Sequence, residues 1–397
     1  MLFPDELNRY ANSILKLIYG LERYVIDDVS RRVTKTFMAT DEYSLTPTST
    51  YQLQALSEAG YMMSDIQTEL QRTTRIAMQE ITLMFENANL LSFNRERVTG
   101  ELAGQTLHMT YAKRQIIQNS IRDFESRFLN MTGSIGMKGL PIEVAYHNTL
   151  NTAYFQVATG ARDYGSAVRS AVKDLSDQGL QYISYGRRND HLDVAVRRAV
   201  LTGLQQCTND ISELNAREMD ADGYETSAHV GARPTHEVWQ GRQFAIYRDR
   251  TRGYPIFDDV VGDQMDEPNC RHTKWGIFLG ISTPMYTEEQ RQALNKDIEF
   301  DGKTYSSYEA TQVQRQIERE TRSVKRDIYA LEAAQRQDPS LNLQGEIQGL
   351  KGKQRDLSAL YTRFSEETGL LQQRERMGLV EYGRLPSEGV LPGRRAS

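Results

Sequence analysis

Cysteine is scarce: Cys207 and Cys270 are the only two in 397 residues. Two thiols cannot build a disulfide framework, and the N-terminus lacks a basic start followed by an apolar core, so the sequence predicts a reducing compartment. Long apolar runs are missing too. Ile14 to Leu21 is interrupted by Lys16 and Tyr19, and it falls well short of the roughly 18 residues a membrane span requires. Nor does either sign of charge dominate, since 48 basic residues against 53 acidic ones leave a net charge of -5. A surface that wraps nucleic acid throughout is normally basic, because phosphate neutralisation supplies most of that affinity. Any DNA contact must therefore be local.

What the chain has in quantity is helical periodicity. At roughly 100 to 200 residues per domain, its length predicts about two to four units. Leu7, Tyr10, Ile14, Leu17, Leu21, Val25, Val29 and Val33 recur at steps of three and four, which lines them along one face of a helix of about thirty residues. A second helix is predicted from Ser64 to Asn89, with Ser64 as its N-cap, and a third from Ala112 to Asn130. Further helices are predicted over Ile142 to Thr159, Ser166 to Ile183 and His191 to Met219. Near the C-terminus, Ile317, Val324 and Leu331 are spaced by seven, as are Leu343, Leu350, Leu357 and Phe364. Pro339 lies between the two runs and cannot continue a helix interior, so an antiparallel, coiled-coil-like helical hairpin is expected. Pro386 to Ser397 is rich in Pro, Gly and Arg and reads as a frayed or partner-dependent tail.

The expected fold is mainly α. It comprises a long-helix region (1–140), a helical domain (141–222), a small α+β module (223–286), and a helical hairpin with its tail (287–397). The module is where Gly, Pro and aromatic residues replace long periodicity, and it is the stretch in which β structure is expected. Gly-rich Thr132 to Pro141 contains Lys138 and invites a phosphate-binding reading. Its spacing is not that of a P-loop, and a loop between helical layers is expected instead. Arg187, Arg188, Arg197 and Arg198 flank an apolar stripe and support two readings: a contact for DNA or an acidic partner, or arginines that lace helices together through Asp190 and Asp193.

The rare chemistry gathers between Ala228 and Pro284, which holds three of the six histidines and both tryptophans. His229, His236, Cys270 and His272 are thiol and imidazole groups of the kind that bind zinc, although the Cys-x-His spacing is closer than the usual two to four intervening residues. The alternative makes Cys270 a small buried apolar residue, leaves the histidines bonded to loops, and gives Trp239 and Trp275 the core. Catalysis would require Cys270 as nucleophile with His236 or His272 as base, or His236 acting with Glu237 or Asp263 in a nuclease centre. None of these has a diagnostic spacing, so no catalytic residue is assigned and no cofactor is expected, zinc being the alternative.

The string SAHVGARPTHEVWQGRQF, followed by GYPIFDDVVG and NCRHTKWGIFLGIS, resembles the phage minor capsid protein 2 family. Two further stretches match its pattern, Val194 to Gln206 upstream and Thr304 to Arg326 downstream, so the resemblance runs discontinuously over about residues 140 to 330. Its motif residues here are His229, Gly231, Arg233, Pro234, His236, Trp239, Gly241, Asn269, Cys270, Arg271 and His272. The segment is also similar to Mu-type head-morphogenesis proteins, whose P-N-C-R-C ending has His272 in place of the last cysteine; Asp263 to Glu267 likewise lacks the second cysteine common in the minor capsid family. The resemblance implies a virion protein assembled in the host cytoplasm during head morphogenesis, partnered by the portal or major capsid protein, touching packaged DNA or ejected with it. The competing function is a metal-dependent hydrolase or nuclease delivered with the genome.

Overall fold

A computed structural model describes residues 1–38, 48–184, 189–267 and 269–378. The chain begins with α1 (Pro4–Met38), α2 (Thr48–Leu102) and α3 (Tyr111–Gly133). A hairpin of β1 (Ile135–Met137) and β2 (Leu140–Pro141) leads into α4 (Ile142–Ala158) and α5 (Tyr164–Ser176). Two short strands, β3 (Gln181–Tyr182) and β4 (Asp190–His191), precede α6 (Leu192–Glu218). The central module contains β5 (Gly223–Thr226), α7 (Pro234–Glu237), β6 (Gln243–Ala245), α8 (Phe257–Val260) and β7 (Lys274–Ile277). Then come α9 (Glu288–Leu294), β8 (Ile298–Phe300), β9 (Lys303–Tyr305), α10 (Ser307–Gln337) and α11 (Gln344–Thr368). The mainly α architecture with a small α+β part is as expected.

Helix α1 is the hub. Leu7, Ile14, Leu17, Leu21, Val25, Val29 and Val33 are all buried as their spacing predicts, but so are Leu15, Tyr19 and Ile26 on other faces. The reason is that α2, α5, α6 and α10 all pack on α1. Its buried charges are paired: Arg32 reaches Asp28 and Glu58 at 2.9 Å each, and Glu22 meets Arg326 of α10 at 3.1 Å. One apolar core runs from Leu2 to Ile347, joining the N-terminal helices to the start of α11.

Helix α2 is more than twice as long as predicted. It spans 55 residues, about 80 Å at the α-helical rise, and Ser64 sits inside it rather than capping it. Tyr51, Ala55, Ala59 and Met62 extend the buried stripe ahead of Ser64. The predicted Ser166–Ile183 helix stops at Ser176, and Gln181 and Tyr182 pair with β1 and β4 instead.

β structure is not confined to the module. The four strands β2-β1-β3-β4 form one sheet, β6-β5-β7 a second and β8-β9 a third. The segment Thr132 to Pro141 is thus mostly a hairpin rather than a plain loop. Its two-residue turn, Lys138-Gly139, has positive φ at both positions, as does Asp301-Gly302 between β8 and β9, the backbone that tight hairpin loops demand. Lys138 pairs with Asp174, and the Gly139 N–H donates to Gln181 Oε1 at 2.6 Å, so these groups are engaged within the fold.

α10 and α11 lie antiparallel, since Gln314 bonds to Ser365, Tyr361 to Glu318 and Lys351 to Glu332, a falling partner number for a rising one. Ser306 and Glu309 form a capping box that starts α10, and Gly369 ends α11 in the left-handed region. α10 also packs along α1 and α5, so its pair with α11 is built into the body of the molecule. Residues 379–397, including the predicted tail from Pro386, lie outside the described residues, as do Arg187 and Arg188.

Candidate functional site

The site is built by two short segments of the module that lead into the two outer strands of its sheet, β6 and β7. Pro234 opens α7 at a position where its missing N–H costs nothing. The turn continues past α7, with the Trp239 and Gln240 N–H groups both donating to the His236 carbonyl, at 3.2 and 2.9 Å. The i, i+3, i+4 spacing therefore puts His236, Trp239 and Gln240 on one face. Gly241, with φ 65°, ends the turn, and a Cβ there would sit 3.2 Å from the Ala228 side chain.

The second segment is Asn269 to Thr273. Asn269 has φ 67°, a left-handed conformation that its short polar side chain tolerates, and the Cys270 N–H closes the turn on the Glu267 carbonyl at 3.0 Å. Gln205 of α6 donates to the carbonyls of Met265 at 2.9 Å and His272 at 3.0 Å, pinning this segment to the helical body. On the other side, a Cβ at Gly231 would lie 2.3 Å from Thr311 Cγ2 of α10. The three separated motifs singled out in the sequence thus meet in space.

His236, Cys270 and His272 are all buried, and one ligand-type atom from each lies within 4.8 Å of the others. Cys270 Sγ is 3.5 Å from His272 Nδ1. His272 Nε2 is 3.2 Å from Gln240 Oε1, which also accepts the His229 N–H, while Gln240 Nε2 donates to Asn295. Since Gln240 Oε1 can only accept, His272 carries its proton on Nε2 and turns the lone pair of Nδ1 toward the thiol. His236 Nε2 is buried with no hydrogen-bond partner among the described residues. It lies 3.7 Å from Glu267 Oε2, which Arg233 holds at 2.6 Å. Trp239 forms the floor, its indole ring edge-on to His272 at 4.6 Å and tilted on His236 at 4.8 Å.

His229 does not join this set. Its ring stacks on His272 at 4.6 Å, but its Nδ1 faces the Val230 carbonyl at 2.9 Å. Two participants carried no signal in the sequence reading: Gln240, four residues after His236, and Glu267, three before Cys270. Burial, with neighbouring arginines at His229 and His236 and the other two histidines at His272, pushes all three imidazoles below their ordinary range, His229 to about 3, so the rings are neutral. Burial likewise pushes the Cys270 thiol up to about 11, which leaves a protonated, poorly nucleophilic sulfur at neutral pH. The carboxylate within ion-pair distance of His236 is Glu267; Asp263 is exposed and Glu237 half-buried. The donor set of one thiol and two neutral imidazoles, one with an orphaned buried nitrogen, fits a borderline-soft metal ion.

Of the arginines suspected of touching DNA, Arg198 pairs with Asp190 at 2.9 Å, and Arg197 donates inward to Asn8 at 2.7 Å. Arg271 joins Arg197, Arg315 and Arg376 in a basic cluster at the boundary of the module. Burial and mutual repulsion push Arg197 down to about 9 and Arg271 and Arg315 to about 10.

Fold and site together define a helical scaffold protein whose small central module is locked onto the body by buried polar contacts. Residues 2–359 match the family model of phage minor capsid protein 2, and the chain belongs to that family. The match extends well beyond the central motifs, to both the first helix and α11. The protein is accordingly a structural component of the phage particle, found in the virion. No curated protein and no solved structure matches the chain. No helix among the described residues is long and apolar enough to cross a membrane.

Proposed function

We propose that this minor capsid protein acts in head morphogenesis, docking on the portal protein or on the major capsid protein through the outer face of α2. The observation that carries the reading is the length of α2 combined with what it leaves uncovered. Along its 55 residues, Leu53, Leu56, Tyr61, Leu83, Leu90 and Val98 are between 43 and 68 % exposed. At the turn of an α-helix Tyr61, Leu83 and Leu90 fall on one side of α2, and apolar side chains aligned in that way mark a surface made for another protein. The opposite face of α2 is fixed by α1, α3 and α6, so the display is rigid. Arg197 and Arg198 commit donors within the chain, which favours a protein surface over packaged DNA as the principal partner.

The test is cross-linking mass spectrometry on assembled heads. With a carboxylate-reactive linker, because α2 carries Glu80 and Glu86 but no lysine, cross-links from residues 72–97 to the portal or the major capsid protein are expected, and their identity chooses between the two. Cross-links confined to other faces of the molecule would overturn the reading.

A further inference from the structure

We propose that His236 Nε2, Cys270 Sγ and His272 Nδ1 hold a structural zinc ion, with the Glu267 carboxylate as the fourth ligand. The argument rests on four observations. First, one ligand-type atom from each of His236, Cys270 and His272 already lies within 4.8 Å of the others. A tetrahedral ion with bonds of about 2.3 Å to sulfur and 2.0–2.1 Å to nitrogen separates those two ligands by about 3.6 Å, and Cys270 Sγ and His272 Nδ1 are 3.5 Å apart. Second, His236 Nε2 is buried and unpartnered among the described residues. An orphaned buried nitrogen is costly, and a bond to metal gives it a partner.

Third, the outer groups are those a metal site requires. Gln240 Oε1 fixes the tautomer of His272 by accepting its other ring N–H, at 3.2 Å, and Arg233 steadies the Glu267 carboxylate at 2.6 Å. Such partners orient ligands and tune their affinity. Fourth, Glu267 stands outside the three-residue cluster but its Oε2 lies 3.7 Å from His236 Nε2 and its side chain is 45 % exposed, so it is a carboxylate that a side-chain rotation would bring to the fourth position. A thiolate and a carboxylate together cancel the charge of a divalent ion beside Arg233 and Arg271. On binding, the Cys270 S–H bond breaks, its proton leaves to solvent, and the sulfur lone pair forms the bond to zinc. Thiolate with imidazole selects zinc over magnesium or calcium, which prefer oxygen ligands.

The ion would tie the turn after α7 to the Asn269–Thr273 segment and to Glu267, which ends the 3-10 turn Gly262–Asp266. His229 is left outside, which separates this ligand set from the one suggested by residue type alone. The test uses the full chain, incubated with zinc and then passed over a weak chelator, with metal counted by elemental analysis. One zinc per chain is expected in the wild type and in His229→Ala, with a loss of at least about tenfold in Cys270→Ser. Because metal loss in Cys270→Ser does not by itself separate a lost ligand from a misfolded chain, the wild type is also loaded with cobalt: a sulfur-to-cobalt charge-transfer band and a higher melting temperature are expected. A wild type that holds no zinc, shows no such band and melts at the same temperature with and without metal overturns the proposal. So does a His229→Ala chain that loses metal as completely as Cys270→Ser.

Discussion

Arg322 of α10 donates to Asp193 of α6 across 2.9 Å, with both side chains buried and the two residues 129 positions apart in sequence. The Tyr19 hydroxyl of α1 reaches the same Asp193 oxygen at 3.4 Å. Three helices from the beginning, middle and end of the chain thus share one carboxylate. Burial alone would raise the Asp193 carboxyl, but Arg322, Arg326 and His191 outweigh it and hold it below its ordinary value.

The pH dependence follows. A carboxyl that titrates lower in the folded state than in the unfolded one stabilises fully above the unfolded value of about 4, and that stability is lost as pH falls through the folded value. Asp193→Asn leaves Arg322 buried without its counter-charge, a loss of about 3–5 kcal/mol near neutral pH. Urea denaturation of both chains should show this gap narrowing in acid. Parallel pH profiles would mean that Asp193 is not a linkage group.

Glycine substitutions should have opposite signs in two places. Gly231 has φ 71° and a Cβ there would lie 2.3 Å from Thr311, so Gly231→Ala combines backbone strain with a clash and should cost about 2 kcal/mol or more. Gly349 lies inside α11 with nothing within 4 Å of a Cβ, and Gly349→Ala should stabilise by about 0.5–1 kcal/mol. Chemical denaturation of the two variants checks both signs at once.

The spacing of α1 was legible because a buried helix face repeats over about seven turns, from Leu7 to Val33. The length of α2 was not, because Ser64 has the chemistry of an N-cap and only the burial of Tyr51, Ala55, Ala59 and Met62 shows the helix running through it. Strands of two or three residues, such as β3 and β4, are too short to alternate visibly. Asp301-Gly302 was a hairpin signal in plain view that helical texture on either side obscured. At the site, rarity of residue type pointed to His236, Cys270 and His272. Excluding His229 required knowing that its Nδ1 turns to Val230, and finding Glu267 required the turn through Asn269, neither of which is written in spacing.

The basic cluster carries its own expectation. Arg271 and Arg315 are half-buried and make no ion pair or hydrogen bond among the described residues, while Arg376 is held by Glu318 at 2.9 Å. Guanidinium groups stay protonated at any ordinary pH, so their mutual repulsion is a standing cost to stability. Arg315→Met should leave the melting temperature unchanged or raise it, and added salt should raise the wild-type value more than the variant's. A sharp destabilisation by Arg315→Met would show that Arg315 has a partner holding it.

The most direct measurement of the docking account is incorporation of the protein into heads. Leu83 and Leu90, seven residues apart on α2, are 43 and 50 % exposed, so Leu83→Glu/Leu90→Glu removes apolar surface without opening the core. Heads assembled with this chain are purified, and its copy number is compared with wild type by quantitative mass spectrometry, with circular dichroism confirming the fold. A folded double variant that is depleted from heads by about tenfold or more, the factor expected from losing about 1.4 kcal/mol of docking energy, is the predicted result. A folded variant incorporated at the wild-type level would contradict docking through α2.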